Sequence, residues 1–136
     1  MLFPRKAEVL EIHRRLLEHF GGPPGLRDEG LLDSALLAAA NRQHYEGADL
    51  AVCAATYAFH LTRNHAFVDG NKRVGAAVAE IFVRLNGAEL SASNDEIVAL
   101  FLSIAAGTMS REEVEQTFAR WVVIPPSTAA PDRPGE

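Results

Sequence analysis

The sequence predicts an all-α domain, a compact bundle of about six helices. Three observations carry that reading. Apolar residues recur at i, i+3/i+4 spacing through most of the chain, the ends of these runs carry helix-capping residues, and strand-like stretches are few and short. The strand candidates are the polar segment at 41–48 and GAEL at 87–90.

The first helix shows Val9, Ile12, Leu16 and Phe20 on one face behind Pro4, and Gly21-Gly22 end it. GGPPGLRDEG (21–30) is turn-rich and by composition only a connection. Asp28 is placed to cap a second helix that turns Leu32, Ala35, Leu36 and Ala39 inward. NRQHYEGAD follows; it is too polar to pack, so an exposed loop or a short β-hairpin is expected over 41–48. Asp49 caps a third helix with Leu50, Cys53, Ala54, Tyr57 and Leu61 buried, failing near Asn64. A fourth begins near Asn71, directs Val74, Val78, Ile81, Phe82 and Leu85 inward, and stops at Asn86-Gly87. Ser93–Glu96 and Ser110–Glu113 read as S-x-x-E capping boxes. They open helices carrying Ile97, Leu100, Phe101 and Ile104, then Val114, Phe118 and Trp121, with Gly107 between. The domain is expected to span 1–122, and 123–136, rich in proline and small residues, to form a flexible tail.

A chain of 136 residues fits one domain with an adequate core. Its net charge of −5 argues against broad binding to nucleic acid, which needs a basic face. The single cysteine, Cys53, excludes an internal disulfide framework and reads as a core thiol. Acidic Glu8 and Glu11 and scattered bases near the start do not suit a signal peptide, and no apolar run approaches the ~20 residues that span a bilayer. The expected compartment is the cytoplasm, with no membrane partner. His13, His19 and His60 lack metal-ligand spacing and read as structural or surface residues.

One segment departs from this pattern: NHAFVDGNKR, 64–73, between two strong helices. Gly70 permits backbone conformations that other residues resist. The helix starting near Asn71 offers unpaired N–H groups and a positive dipole end, a natural seat for phosphate. Lys72 adds a point charge and Arg73 a fork for phosphate oxygens. Asp69 supplies a carboxylate of the kind that holds Mg²⁺ together with phosphates. His65 stands four positions before it, suited to act as general base for a hydroxyl. Phe67, apolar among polar neighbours, reads as the anchor pinning the loop to the core.

HAFVDGNKR fits H-x-F-x-[DE]-G-N-[GK]-R at every position and so resembles the Fic/Doc superfamily. The lysine before the arginine is similar to the Doc (death-on-curing) branch. GGPPGLRDEG, the Arg63-Asn64-His65 approach, Asn86-Gly87 and AAG-x-x-S-x-E-E at 105–113 extend the likeness over residues 3–122. The resemblance implies a Fic/Doc-like helical domain and a toxin of a type II toxin–antitoxin pair. Its activity would be transfer of the γ-phosphate of ATP to a threonine of elongation factor Tu, blocking translation. It implies ATP and Mg²⁺ as cofactors and His65 as the base. Gly70, Asn71, Lys72 and Arg73 would form the phosphate site, Arg63 would add a further charge, and Asp69 would be the metal or polar contact. His44 and Tyr45 would belong to a flap over the target.

Departures from the pattern bear on the chemistry. Ala66 stands where proline is frequent, and Ala76 where many Fic enzymes carry a second arginine. Ala76 and Lys72 both weaken the alternative of AMP transfer to a protein hydroxyl. The segment Thr108–Glu112 is followed by Glu113 and fails the [ST]-x-x-x-E-[GN] pattern of self-inhibited relatives. Inhibition is therefore expected from a separate antitoxin whose C-terminal segment folds into a groove beside the site. A non-catalytic module that keeps the fold and binds a partner is the remaining alternative.

Overall fold

The computed structural model describes residues 1–126; most of the expected tail lies outside the described residues. Six helices run in the order α1 (Lys6–Phe20), α2 (Glu29–Glu46), α3 (Leu50–Arg63), α4 (Asn71–Leu85), α5 (Asn94–Ala106) and α6 (Arg111–Trp121). Strand β1 (Glu89–Leu90) follows α4, and β2 (Val122–Val123) follows α6. The two strands pair antiparallel, Glu89 opposite Val123 and Leu90 opposite Val122. The GAEL strand is thus present, and Val123, the first residue of the expected tail, belongs to its partner.

The centre of the molecule is α3. Its sequence, LAVCAATYAFHLTR, is apolar or small on nearly every side, and such a helix is stable only when surrounded. It packs against α2, α4, α5 and α6, while α1 lies on α4. Cys53, Ala54, Tyr57 and Leu61 of α3, Val74, Val78 and Phe82 of α4, and Ile104, Val114 and Phe118 share one core.

The caps form as the sequence requires. Asp28 accepts from the Leu31 N–H at 3.0 Å and Asp49 from the Val52 N–H at 3.0 Å. Both boxes close: the Ser93 N–H donates to Glu96 at 2.8 Å and the Ser110 N–H to Glu113 at 2.8 Å. The reciprocal bonds to the serine hydroxyls measure 3.2 and 3.1 Å.

Two expectations need correction. Residues 41–46 are neither loop nor hairpin, because α2 continues through Glu46 and stops only at Gly47, whose φ of 65° is the left-handed cap. The polar run is helical because Arg42 finds partners: Glu46 one turn on at 3.0 Å, and Glu115 of α6 at 2.6 Å. Polarity excluded an apolar face there but not an ion pair sealing α2 to α6. The inward face expected of α4 is also too wide, and the apolar series of α1 does not stay buried to its end. Phe20 is exposed at the last residue of α1, and Ile81 and Leu85 are half-exposed beside the open groove between α1 and α4. His13, one turn after Val9, is buried instead.

Candidate functional site

Residues 64–70 leave α3 and enter α4, and all but one of the carbonyls in that stretch accept a hydrogen bond from outside it. Phe67 is the anchor its chemistry suggested: it is 2% exposed and stacks on the His13 ring with centroids 3.8 Å apart and planes 17° from parallel. Nε2 of the same histidine lies 2.8 Å from the Asp69 carbonyl. A carbonyl only accepts, so that ring nitrogen carries the proton and donates.

The connection between α1 and α2 lies alongside as a short extended pairing. The Arg27 and Asp28 N–H groups both donate to the Ala66 carbonyl, at 2.7 and 2.9 Å, and the Val68 N–H donates to Gly25 O at 3.0 Å. Asn71 closes the far side. Its amide nitrogen donates to the Phe67 carbonyl at 3.0 Å, and its amide oxygen accepts from the Phe67 N–H at 3.1 Å. The Asn71 side chain thus fastens the loop.

His65 is exposed and has φ of 53°, the sole positive φ among described non-glycine residues. The left-handed region costs such a residue about 1–2 kcal/mol, so the surroundings must impose it. Gly70, with φ of 84°, is the N-cap of α4 and has no side chain to satisfy the first-turn N–H groups. That end of α4 is therefore an uncapped, partly positive terminus carrying the exposed cations Lys72 and Arg73. The Arg73 guanidinium rests 4.5 Å from the centre of the Phe20 ring, which explains why an aromatic residue is tolerated in solvent there.

Asp69 is exposed, with its carboxylate over Gly22, where a Cβ would overlap it. Arg63 lies apart from these contacts: its guanidinium is 5.7 Å from the Phe59 ring centre and covers Gly107 at the end of α5. His44 and Tyr45 are exposed on the last turn of α2, their rings edge to face at 4.6 Å, so helix stands where a flap was expected. Among the described residues no cluster of three or more His, Cys, Asp or Glu side chains could hold a metal without further ligands.

Three residues that complete the arrangement escape a reading by motif. His13 had a signal, its i+4 spacing from Val9 on the inward face. Phe20 shows in the sequence only as the last member of the apolar i, i+3/i+4 series of α1. Arg27 gave none, since its acceptors are main-chain carbonyls.

A strained histidine loop thus feeds an uncapped helix start that carries two exposed cations, chemistry suited to an anionic group. A sequence model of the Fic/DOC family matches residues 3–83, and the chain belongs to that family. It is similar to "Protein kinase doc" of Escherichia phage P1, 32% identical over 114 residues, which is 83% of this chain and 90% of that one. It is also similar to "Toxin Doc" of Mycolicibacterium smegmatis, 44% identical over 80 residues, 56% of this chain and 60% of the other.

Proposed function

We propose that this protein is a Doc-type toxin that transfers the γ-phosphate of ATP to a threonine hydroxyl of elongation factor Tu and so stops translation. The observation that carries the reading is the exposed imidazole of His65 on a loop leading directly into the uncapped start of α4, with lysine at 72 and arginine at 73. The names of the two relatives, a protein kinase and a toxin, support the same class.

In the proposed reaction His65 takes the threonine proton as the oxygen attacks the γ-phosphorus. The bond to the ADP oxygen breaks, and the charge on the transferring group is met by Lys72, Arg73 and the α4 N–H groups. The donor set suits magnesium bound in its usual manner, through one carboxylate, that of Asp69, and phosphate oxygens. Gly22 leaves that carboxylate room. A magnesium ion there would offset charge on the phosphates. Arg63, His44 and Tyr45 have no part in this scheme.

The same reading calls for an antitoxin and a cytoplasmic site of action, where elongation factor Tu works. Among the described residues no helix is long and apolar enough to cross a membrane. An open groove of about 290 Å³ between α4 and α5, lined by Ala76, Ile97, Val98, Phe101 and Leu102 with Lys72 and Arg73 at its rim, suits an amphipathic segment carrying acidic residues.

The deciding experiment incubates the protein and elongation factor Tu with ATP labelled at either the α or the γ position. Label on the target from γ-labelled ATP alone, lost in His65→Ala, is the expected result. Transfer from α-labelled ATP replaces the proposal with AMP transfer, and absence of either with a non-catalytic binding module.

A further inference from the structure

We infer that Arg27 is a positioning residue for His65: its guanidinium holds the left-handed backbone that presents the imidazole. The inference rests on the proposed role of His65 as the base. Arg27 Nε donates to the His65 carbonyl at 2.7 Å, and its Nη2 lies 3.4 Å from the Asn64 carbonyl. These are the carbonyls on either side of the His65 φ and ψ rotations, so the fork grips the peptide units flanking the residue that pays for an unfavourable φ. A charged donor forms stronger bonds to a carbonyl than a neutral one. A fork that engages both carbonyls fixes direction as well as distance.

Arg27 is itself pinned facing the loop. Its N–H donates to Ala66 O, and the next residue, Asp28, donates to the same oxygen before capping α2 through the Leu31 N–H. Asn64 is tied to the same end of α2, its amide nitrogen donating to the Leu31 carbonyl at 3.2 Å. The α2 terminus, the arginine and the histidine backbone thus form one frame. Because the acceptors are carbonyls, Arg27 recognises the conformation of the loop: an extended His65 would swing its carbonyl away from the guanidinium. Arg27 touches no reacting atom in this scheme, and its effect on the reaction passes through the direction of the imidazole.

The test compares wild type with Arg27→Ala and Arg27→Lys, all checked for folding by circular dichroism. Small displacements of a catalytic group cost about a hundredfold in rate. In Arg27→Ala, kcat for γ-phosphate transfer is expected to fall by that order with KM for ATP unchanged. Arg27→Lys, able to reach one carbonyl, is expected to lie between, and it carries the test if the alanine variant does not fold. The His65 backbone is read separately by NMR, from its HN–Hα coupling and Cα shift, which should move from left-handed toward extended values. Wild-type kcat in the variants, or reduced kcat with unmoved His65 signals, overturns the inference. If wild type transfers no label at all, the kinase reading fails, and the NMR signals alone then uphold or overturn the clasp.

Discussion

Gly75 of α4 sits so close to Thr62 of α3 that a Cβ on the glycine would come within 2.5 Å of the Thr62 hydroxyl oxygen. That oxygen is buried without a hydrogen-bond partner. The contact lets the motif helix lie flush on the central helix, and it makes position 75 sensitive.

Gly75→Ala is expected to destabilise the fold by about 1–2 kcal/mol, overpacking outweighing the better helix propensity of alanine. Adding Thr62→Ala should recover most of that loss, because it removes both the clashing atom and the unpaired hydroxyl. Urea unfolding of the two single variants and the double would show a coupling of at least about 1 kcal/mol. Additive effects would mean that the helices do not meet at this pair.

Asn71→Ala removes both amide bonds to Phe67 and is expected to cost about 1–2 kcal/mol. Asn71→Asp should do no better, since its second oxygen faces a carbonyl it cannot donate to. Thermal melts check the stability. A transfer rate that falls in both variants with little change in ATP affinity would support loop-holding over phosphate-holding as the role of Asn71.

His65→Gly relieves the left-handed backbone and is expected to raise stability by up to about 1 kcal/mol while abolishing transfer. His65→Ala abolishes transfer as well, without the gain. A glycine variant no more stable than the alanine one in chemical denaturation would contradict strain at this residue.

Burial, with a smaller contribution from Asp49, pushes the Cys53 thiol up to about 11. At pH 8 the thiolate fraction is then about one in a thousand, and the native protein should resist iodoacetamide until it opens. The folded state holds this proton more tightly than the unfolded chain, so unfolding releases it and alkali favours unfolding. Stability should therefore decline from pH 9 toward 11. Cys53→Ala should flatten that part of the curve, which a series of denaturation midpoints against pH would reveal.

Much of the fold was legible because capping and periodicity are local. Asp28, Asp49, Ser93 and Ser110 each sit where a helix begins, and α3 shows its central position through its lack of a polar face. The run at 41–46 was not legible because, beyond the local Arg42–Glu46 pair, the partner that seals it to the bundle, Glu115, is 73 residues away from Arg42. Within the site the motif residues stood out by type and spacing, and Phe67 could be read as an anchor from its neighbours alone. The left-handed His65 and the arginine that grips it were invisible, because main-chain carbonyls carry no letter in the sequence.

The loop takes its shape from partners that lie far away along the chain. The His13–Asp69 and Arg27–His65 contacts close separations of 56 and 38 residues, and such closures come after local helix formation. Both partners precede the motif in the chain, so its shape is set by segments that lie upstream of it. Docking of α1 and of the α1–α2 connection against residues 64–70, and not the motif's own letters, gives the loop its arrangement.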